Sequence, residues 1–185
     1  SGMEAAVMNL LQPGDRAVVV VAGYFGDRIA QMAERAGAEV TRVEVPWGSP
    51  IPPERIEEAL RATPRAKVVA VVHAETSTGV LQPIEEIAKL AHEAGAFLIV
   101  DCVTSLGGLP VEVDAWGADV AYSGTQKCLS APPGAAPITV SDAAFAAMEA
   151  REVPPNSWYL DLRLLEAYWD ERRVYHHTAP ISMVY

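Results

Sequence analysis

The chain has 185 residues, half of them hydrophobic, and a formal net charge of −10. That is enough apolar material for one well-buried domain, and the acidic balance argues against nucleic acid or an anionic membrane as a partner. The two cysteines, Cys102 and Cys128, offer neither a disulfide framework nor metal-ligand spacing, so a reducing compartment, the cytoplasm, is expected.

No apolar run is long enough to span a bilayer, and Ser1-Gly2-Met3-Glu4 lacks a signal-peptide layout. Ser1-Gly2 reads either as a remnant before a Met3 start or as part of a native glycine-rich turn. Pro13-Gly14-Asp15 is a turn. Arg16 to Ala22, with Val18-Val19-Val20-Val21, reads as a buried strand by length and β-branching. Gly23-Tyr24-Phe25-Gly26 is expected as a loop, followed by a helix from Asp27 to Ala36 that Gly37 ends. Glu39 to Val45 alternates as a strand, and Pro46 to Pro53 is a proline-rich loop. Pro53 then opens a helix with Ile56, Ala59 and Leu60 on one face.

Lys67 to Val72 is a further strand. Pro83 stands at the favoured first-turn position of a helix, and Gly95 follows its end. Phe97 to Asp101, Asp119 to Tyr122 and Pro137 to Val140 read as strands. Ser141 to Arg151 is a helix with Ser141 as N-cap. Trp158 to Asp170 reads as an unusually aromatic helix, whose Trp158, Tyr159, Tyr168 and Trp169 suit a buried helix face or a dimer contact. The β-α-β-α alternation implies an α/β fold: one domain with a mostly parallel sheet covered by helices on both faces.

Two of these strands end in chemistry. Phe97-Leu98-Ile99-Val100 runs into Asp101, and Ala118 to Tyr122 leads into Ser123-Gly124-Thr125-Gln126-Lys127-Cys128. The C-terminal ends of parallel strands line the ligand crevice of an open sheet. A carboxylate and an amine facing one crevice are the minimal parts for pyridoxal phosphate chemistry: the amine forms a Schiff base, and the carboxylate keeps the pyridine nitrogen protonated. The plainer readings are a solvated loop lysine and a capping aspartate. No GxGxxG follows the Val18–Val21 strand, which argues against a dinucleotide-binding oxidoreductase. His176 and His177 lack a third ligand at metal spacing, so no metal is expected. His73 is expected to pack the crevice.

The lysine segment, together with His73-Ala74-Glu75-Thr76-Ser77-Thr78-Gly79-Val80-Leu81-Gln82-Pro83, Asp101-Cys102-Val103-Thr104-Ser105-Leu106-Gly107-Gly108 and Tyr175-His176-His177-Thr178, resembles the class V aminotransferases. Within them it is most similar to the alanine–glyoxylate and serine–pyruvate group, from about Met3 to Tyr185. The resemblance implies the large domain of a fold-type-I pyridoxal 5′-phosphate enzyme that exchanges an amino group between a small amino acid and a 2-oxo acid. It implies Lys127 as Schiff-base lysine and later base, and Asp101 as partner of the pyridinium. Phe25 would stack on the ring, where the family often has Trp. Thr76 would approach the phenolic oxygen, and Gln126 and Gly2 the phosphate. Tyr175 and Thr178 would reach the phosphate of a partner subunit in a homodimer with shared sites.

Members of the family are about twice as long. Residues 1–185 are therefore expected to be the cofactor-binding core, cut at both ends, without the small C-terminal domain, its substrate-carboxylate arginine or most of the phosphate turn. The alternative is a folded fragment without turnover.

Overall fold

The computed structural model describes residues 1–184; Tyr185, where the resemblance ends, lies outside them. Six strands form the main sheet: β1 (Arg16–Val21), β2 (Glu39–Glu44), β3 (Val68–Val72), β6 (Phe97–Asp101), β7 (Val120–Tyr122) and β8 (Ile138–Val140). Their order is β2-β1-β3-β6-β7-β8. All neighbours pair in parallel except β7 and β8, which run antiparallel. A separate two-stranded ribbon, β4 (Ala74–Glu75) with β5 (Val80–Leu81), follows β3. The chain passes from β1 outward to β2 and then back across to β3, so the strand order reverses between β1 and β3. Ligand crevices of such sheets open at that point.

Alternation along each strand builds two cores. Val19 and Val21 of β1 point to the layer of α1 (Gly2–Leu10), α2 (Tyr24–Arg35) and α6 (Asp142–Glu149), where Leu10, Ile29 and Met148 are buried. Val18 and Val20 point to the opposite layer of α3 (Pro53–Ala62), α4 (Ile84–Glu93) and α5 (Val113–Trp116), where Ile56, Ile87 and Ala91 are buried. A strand buried on both faces reads as a continuous valine run for this reason. The chain ends in α7 (Leu162–Trp169) and the short α8 (Ile181–Val184).

Most expected elements form where their residues place them, and Ser141 caps α6 by accepting the Ala144 N–H at 3.1 Å. Several ends shift by a residue or two, and three differences have a visible cause. The expected loop at Tyr24–Gly26 is instead the first turn of α2, because its acceptors arrive from residues 75 and 77 rather than from neighbours in sequence. Pro83 stands just before α4 rather than inside it. The aromatic segment becomes helical only at Leu162, where Asp161 caps by accepting the Arg163 N–H and buried Asn9 of α1 accepts the Leu162 N–H. Trp158, Tyr159 and Trp169 are exposed, so a helix face buried within the chain is ruled out for them.

Candidate active site

Parallel pairing places Val72 opposite Asp101 and Asp101 opposite Tyr122, so the ends of β3, β6 and β7 stand in line. Beyond them opens a crevice of about 410 Å³. Six of the eight expected site residues line it: Gly2, Phe25, Thr76, Asp101, Gln126 and Lys127. A larger depression of about 810 Å³ between α1, α2 and α6 contains none of them. The smaller crevice is the one that joins the strand ends and their carboxylate.

Asp101 is 2% exposed. Its Oδ1 accepts the Val103 N–H at 2.8 Å and its Oδ2 accepts the Tyr122 O–H at 2.9 Å. Among the described residues, no side-chain cation forms an ion pair with it. Burial pushes its pKa up to about 6; the bonds from Val103 and Tyr122 oppose that rise and the nearby charge of Glu75 adds to it. Tyr122 is fully buried, and burial next to Asp101 raises its phenol well above the ordinary range. Tyr122 therefore stays a neutral donor and fixes the orientation of the carboxylate.

Lys127 and Gln126 occupy the turn after β7, both exposed and both facing the crevice. Thr76, at the tip of the ribbon, donates its hydroxyl to Thr104 Oγ1 at 3.3 Å. Phe25 is half-buried in the first turn of α2, edge-on to Tyr24, with the Arg28 guanidinium 5.1 Å from its ring centre. Gly2 begins α1 and packs on Tyr122, where a Cβ would approach to 3.3 Å.

Two helix N-termini meet at this crevice, and they differ. Four successive amides of α2 are occupied. Tyr24 N–H donates to Ser77 Oγ at 2.9 Å, Phe25 N–H to Glu75 Oε1 at 3.3 Å, Gly26 N–H to Glu75 Oε2 at 3.1 Å, and Asp27 N–H to the Gly23 carbonyl at 3.2 Å. At α1, Ser1 makes no side-chain cap bond, and Ser1, Gly2 and Met3 line the crevice. A free helix N-terminus attracts anions. The first turn of α2 is already filled by a carboxylate, whereas that of α1 lines the crevice.

Tyr175 and Thr178 are not brought to this crevice. They lie on the exposed C-terminal stretch, their hydroxyls 3.2 Å apart. His73 is also elsewhere: it is buried edge-on against Trp116 at 4.8 Å rather than lining the crevice. Burial lowers its pKa. His176 and His177 bond to each other through their Nδ1 atoms at 2.8 Å, and no metal-binding cluster occurs among the described residues. Burial raises the Cys102 thiol to about 12, while Cys128 is exposed. Tyr122 and Arg28 are given no part by the motifs, and Glu75 and Ser77 stand in one of them without these contacts. The β6–β7 register is the signal for Tyr122; the other three become visible only in three dimensions.

Residues 1–157 match the family described as Aminotransferase class-V. The chain is 41% identical to the alanine–glyoxylate aminotransferase of Oryctolagus cuniculus over 186 residues, covering 99% of this chain and 47% of that protein. It is 38% identical over 203 residues to the (S)-ureidoglycine–glyoxylate transaminase of Bacillus subtilis, covering 100% of this chain and 49% of that one. Among solved structures, an alanine–glyoxylate aminotransferase from Nostoc sp. superposes with a TM-score of 0.95 at 48% identity, over 98% of this chain and 48% of the other. The pyridoxamine–pyruvate aminotransferase of Mesorhizobium loti gives 0.92 at 33% identity, over 99% of this chain and 47% of that one. The chain spans about half the length of the curated relatives it matches.

The buried carboxylate makes a testable statement about the chain without ligand. A pKa of about 6 in place of 3.8 corresponds to roughly 3 kcal/mol. Because the folded value is the raised one, this stability is present below about pH 4 and is lost as pH rises through about 6. Asp101→Asn has no such titration. In urea unfolding without ligand, the stability of wild type relative to the variant should fall by about 3 kcal/mol between those limits. A difference independent of pH would show that Asp101 is not desolvated as described.

Proposed function

This chain belongs to the class-V aminotransferases, a family of pyridoxal 5′-phosphate enzymes, and from that premise we propose that residues 1–185 form the cofactor-binding core of a transaminase. The donor would be a small amino acid, alanine or serine, and the acceptor glyoxylate or pyruvate. The names of the relatives support small acceptors: glyoxylate recurs in three of those described, and pyruvate stands in the fourth. One observation carries the reading: a buried carboxylate, ion-paired with no side-chain cation among the described residues, shares a crevice with a lysine and the first turn of α1.

The residues fit the cofactor. A cationic ring nitrogen would supply the positive charge that Asp101 lacks, and opposite charge at contact distance favours the ionised carboxylate. A phosphate would meet Gln126 and the first amides of α1. Bound pyridoxal phosphate supplies a carbonyl carbon that can take an amino group and a ring that accepts electrons. The chain's own groups do the rest. Tyr122 holds Oδ2 of Asp101 in place by its hydrogen bond. Phe25 forms one wall against the ring, and Thr76 presents a hydroxyl whose direction Thr104 sets. Lys127 would anchor the cofactor through Nζ and, once released, carry a proton to and from the substrate Cα.

Reduction with borohydride in the presence of pyridoxal phosphate should leave a phosphopyridoxyl group on Lys127, the cofactor's mass less the oxygen lost as water, read by peptide mass mapping. A label on Lys67 or Lys89, the other two lysines, would overturn the assignment. Labelling of Lys127 without amino transfer from alanine or serine would favour the alternative, a folded core without turnover.

For assembly, we propose a homodimer in which Tyr175 and Thr178 reach the phosphate of the partner. The exposed Trp158, Tyr159, Trp169 and Ile181 support this, since large aromatic and aliphatic groups concentrate in interface cores. No helix among the described residues is long and apolar enough to cross a membrane. In sedimentation, wild type should be dimeric. Tyr175→Phe with Thr178→Ala should remain dimeric but bind pyridoxal phosphate about tenfold more weakly, through lost charge-assisted hydrogen bonds. A monomeric wild type that binds the cofactor normally would contradict the shared site.

A further inference from the structure

Glu75 is a carboxylate buried to 1% exposure, and no step described above uses it. It is the last residue of β4, yet its oxygens serve a different element. Oε1 accepts the Phe25 N–H at 3.3 Å, and Oε2 accepts the Gly26 N–H at 3.1 Å. Oε1 also accepts from Ser77, from its N–H at 3.3 Å and its hydroxyl at 2.8 Å. The same Ser77 Oγ accepts the Tyr24 N–H at 2.9 Å. Glu75 and Ser77 together thus take three consecutive amides of the first turn of α2, and the positive end of the helix dipole stabilises the charge of the carboxylate.

Two glycines make this approach possible. A Cβ on Gly23 would lie 2.4 Å from Glu75 Cγ and 2.5 Å from Ser77 Oγ. A Cβ on Gly26 would lie 2.4 Å from the Val20 carbonyl oxygen, so the first turn of α2 sits directly on β1. Phe25 lies between these glycines and Thr76 lies between Glu75 and Ser77. The clamp therefore joins the two residues proposed to face opposite parts of the cofactor.

We infer that Glu75 is a positioning residue for the cofactor crevice: with Ser77 it closes the first turn of α2 from outside and so sets the plane of Phe25 relative to Thr76. This rests on the proposed binding of pyridoxal phosphate in the crevice. Glu75 does not touch the cofactor. Its effect passes through the backbone of residues 24–26. Exposed N-caps add stability alone, whereas a cap supplied by the loop bearing another site residue also fixes the distance across the site.

The test uses Glu75→Gln, which keeps the length of the side chain but replaces one acceptor oxygen with a donor, and Ser77→Ala as an independent lesion of the clamp. Amide hydrogen exchange without cofactor should show the Phe25 and Gly26 amides losing about tenfold or more of their protection in Glu75→Gln, with β1 unchanged. Pyridoxal phosphate affinity should fall about tenfold in either variant, with a weakened visible circular dichroism of the bound cofactor. In a Phe25→Ala background, Glu75→Gln should cause little further loss of affinity, because both act through one ring. Unchanged exchange at Phe25 and Gly26, or losses that add fully to those of Phe25→Ala, would overturn the inference. Failure of the wild type to take up pyridoxal phosphate is a failure of the underlying reading; the exchange result then decides the clamp by itself.

Discussion

The negative charge of Asp101 meets no cation within the described chain. A carboxylate moved out of water is costly unless it is paired or hydrogen-bonded, and two donors, the Val103 amide and the Tyr122 hydroxyl, leave burial as the larger effect. The surroundings preserve that imbalance. Tyr122 is too deeply buried to ionise, and Glu75 contributes further negative potential. A site built this way favours a ligand that brings a positive charge to one position and rewards it with a fixed geometry. That is the demand a pyridinium nitrogen would meet.

The second electrostatic feature is a division between two helices. The first turns of α1 and α2 both end near the crevice, and both would attract an anion. The chain fills one with its own carboxylate, Glu75, while Ser1 and Gly2 of the other line the crevice. A single ligand with a cationic ring and an anionic group would thereby be given one orientation under the proposed reading, its ring nitrogen towards Asp101 and its phosphate towards α1. The parallel register of β3, β6 and β7 converts this into a fixed spacing, since a slip of one residue would turn Asp101 away from Tyr122.

Much of this was legible in the sequence, for local reasons. The valine run of β1 and the strand ending in Asp101 follow from β-branching and length, and the lysine turn follows from its motif. The position of Asp101 and Lys127 at strand C-terminal ends follows from the parallel alternation; that the two strands are neighbours comes from the sheet order. Contacts set by long-range geometry were not legible. The start of α2 depends on acceptors about fifty residues away, beyond the reach of any cap rule read from neighbours. The late start of α7 depends on Asn9, a residue of α1 that carries no motif. Tyr122 was visible as a strand residue, but its bond to Asp101 requires the strand order. Tyr175 and Thr178 were singled out by resemblance, and the single chain holds them away from its own crevice.

The central claim is that Asp101, a carboxylate whose charge burial disfavours, is matched by a cationic ring. Nitrogen-15 NMR of pyridoxal phosphate labelled at the ring nitrogen, bound to the chain at about neutral pH, tests it most directly, because the shift of that nitrogen reports its protonation state. A protonated ring nitrogen in wild type that becomes neutral in Asp101→Asn is the result this account requires. A neutral nitrogen in wild type, or one indifferent to Asp101→Asn, would contradict it.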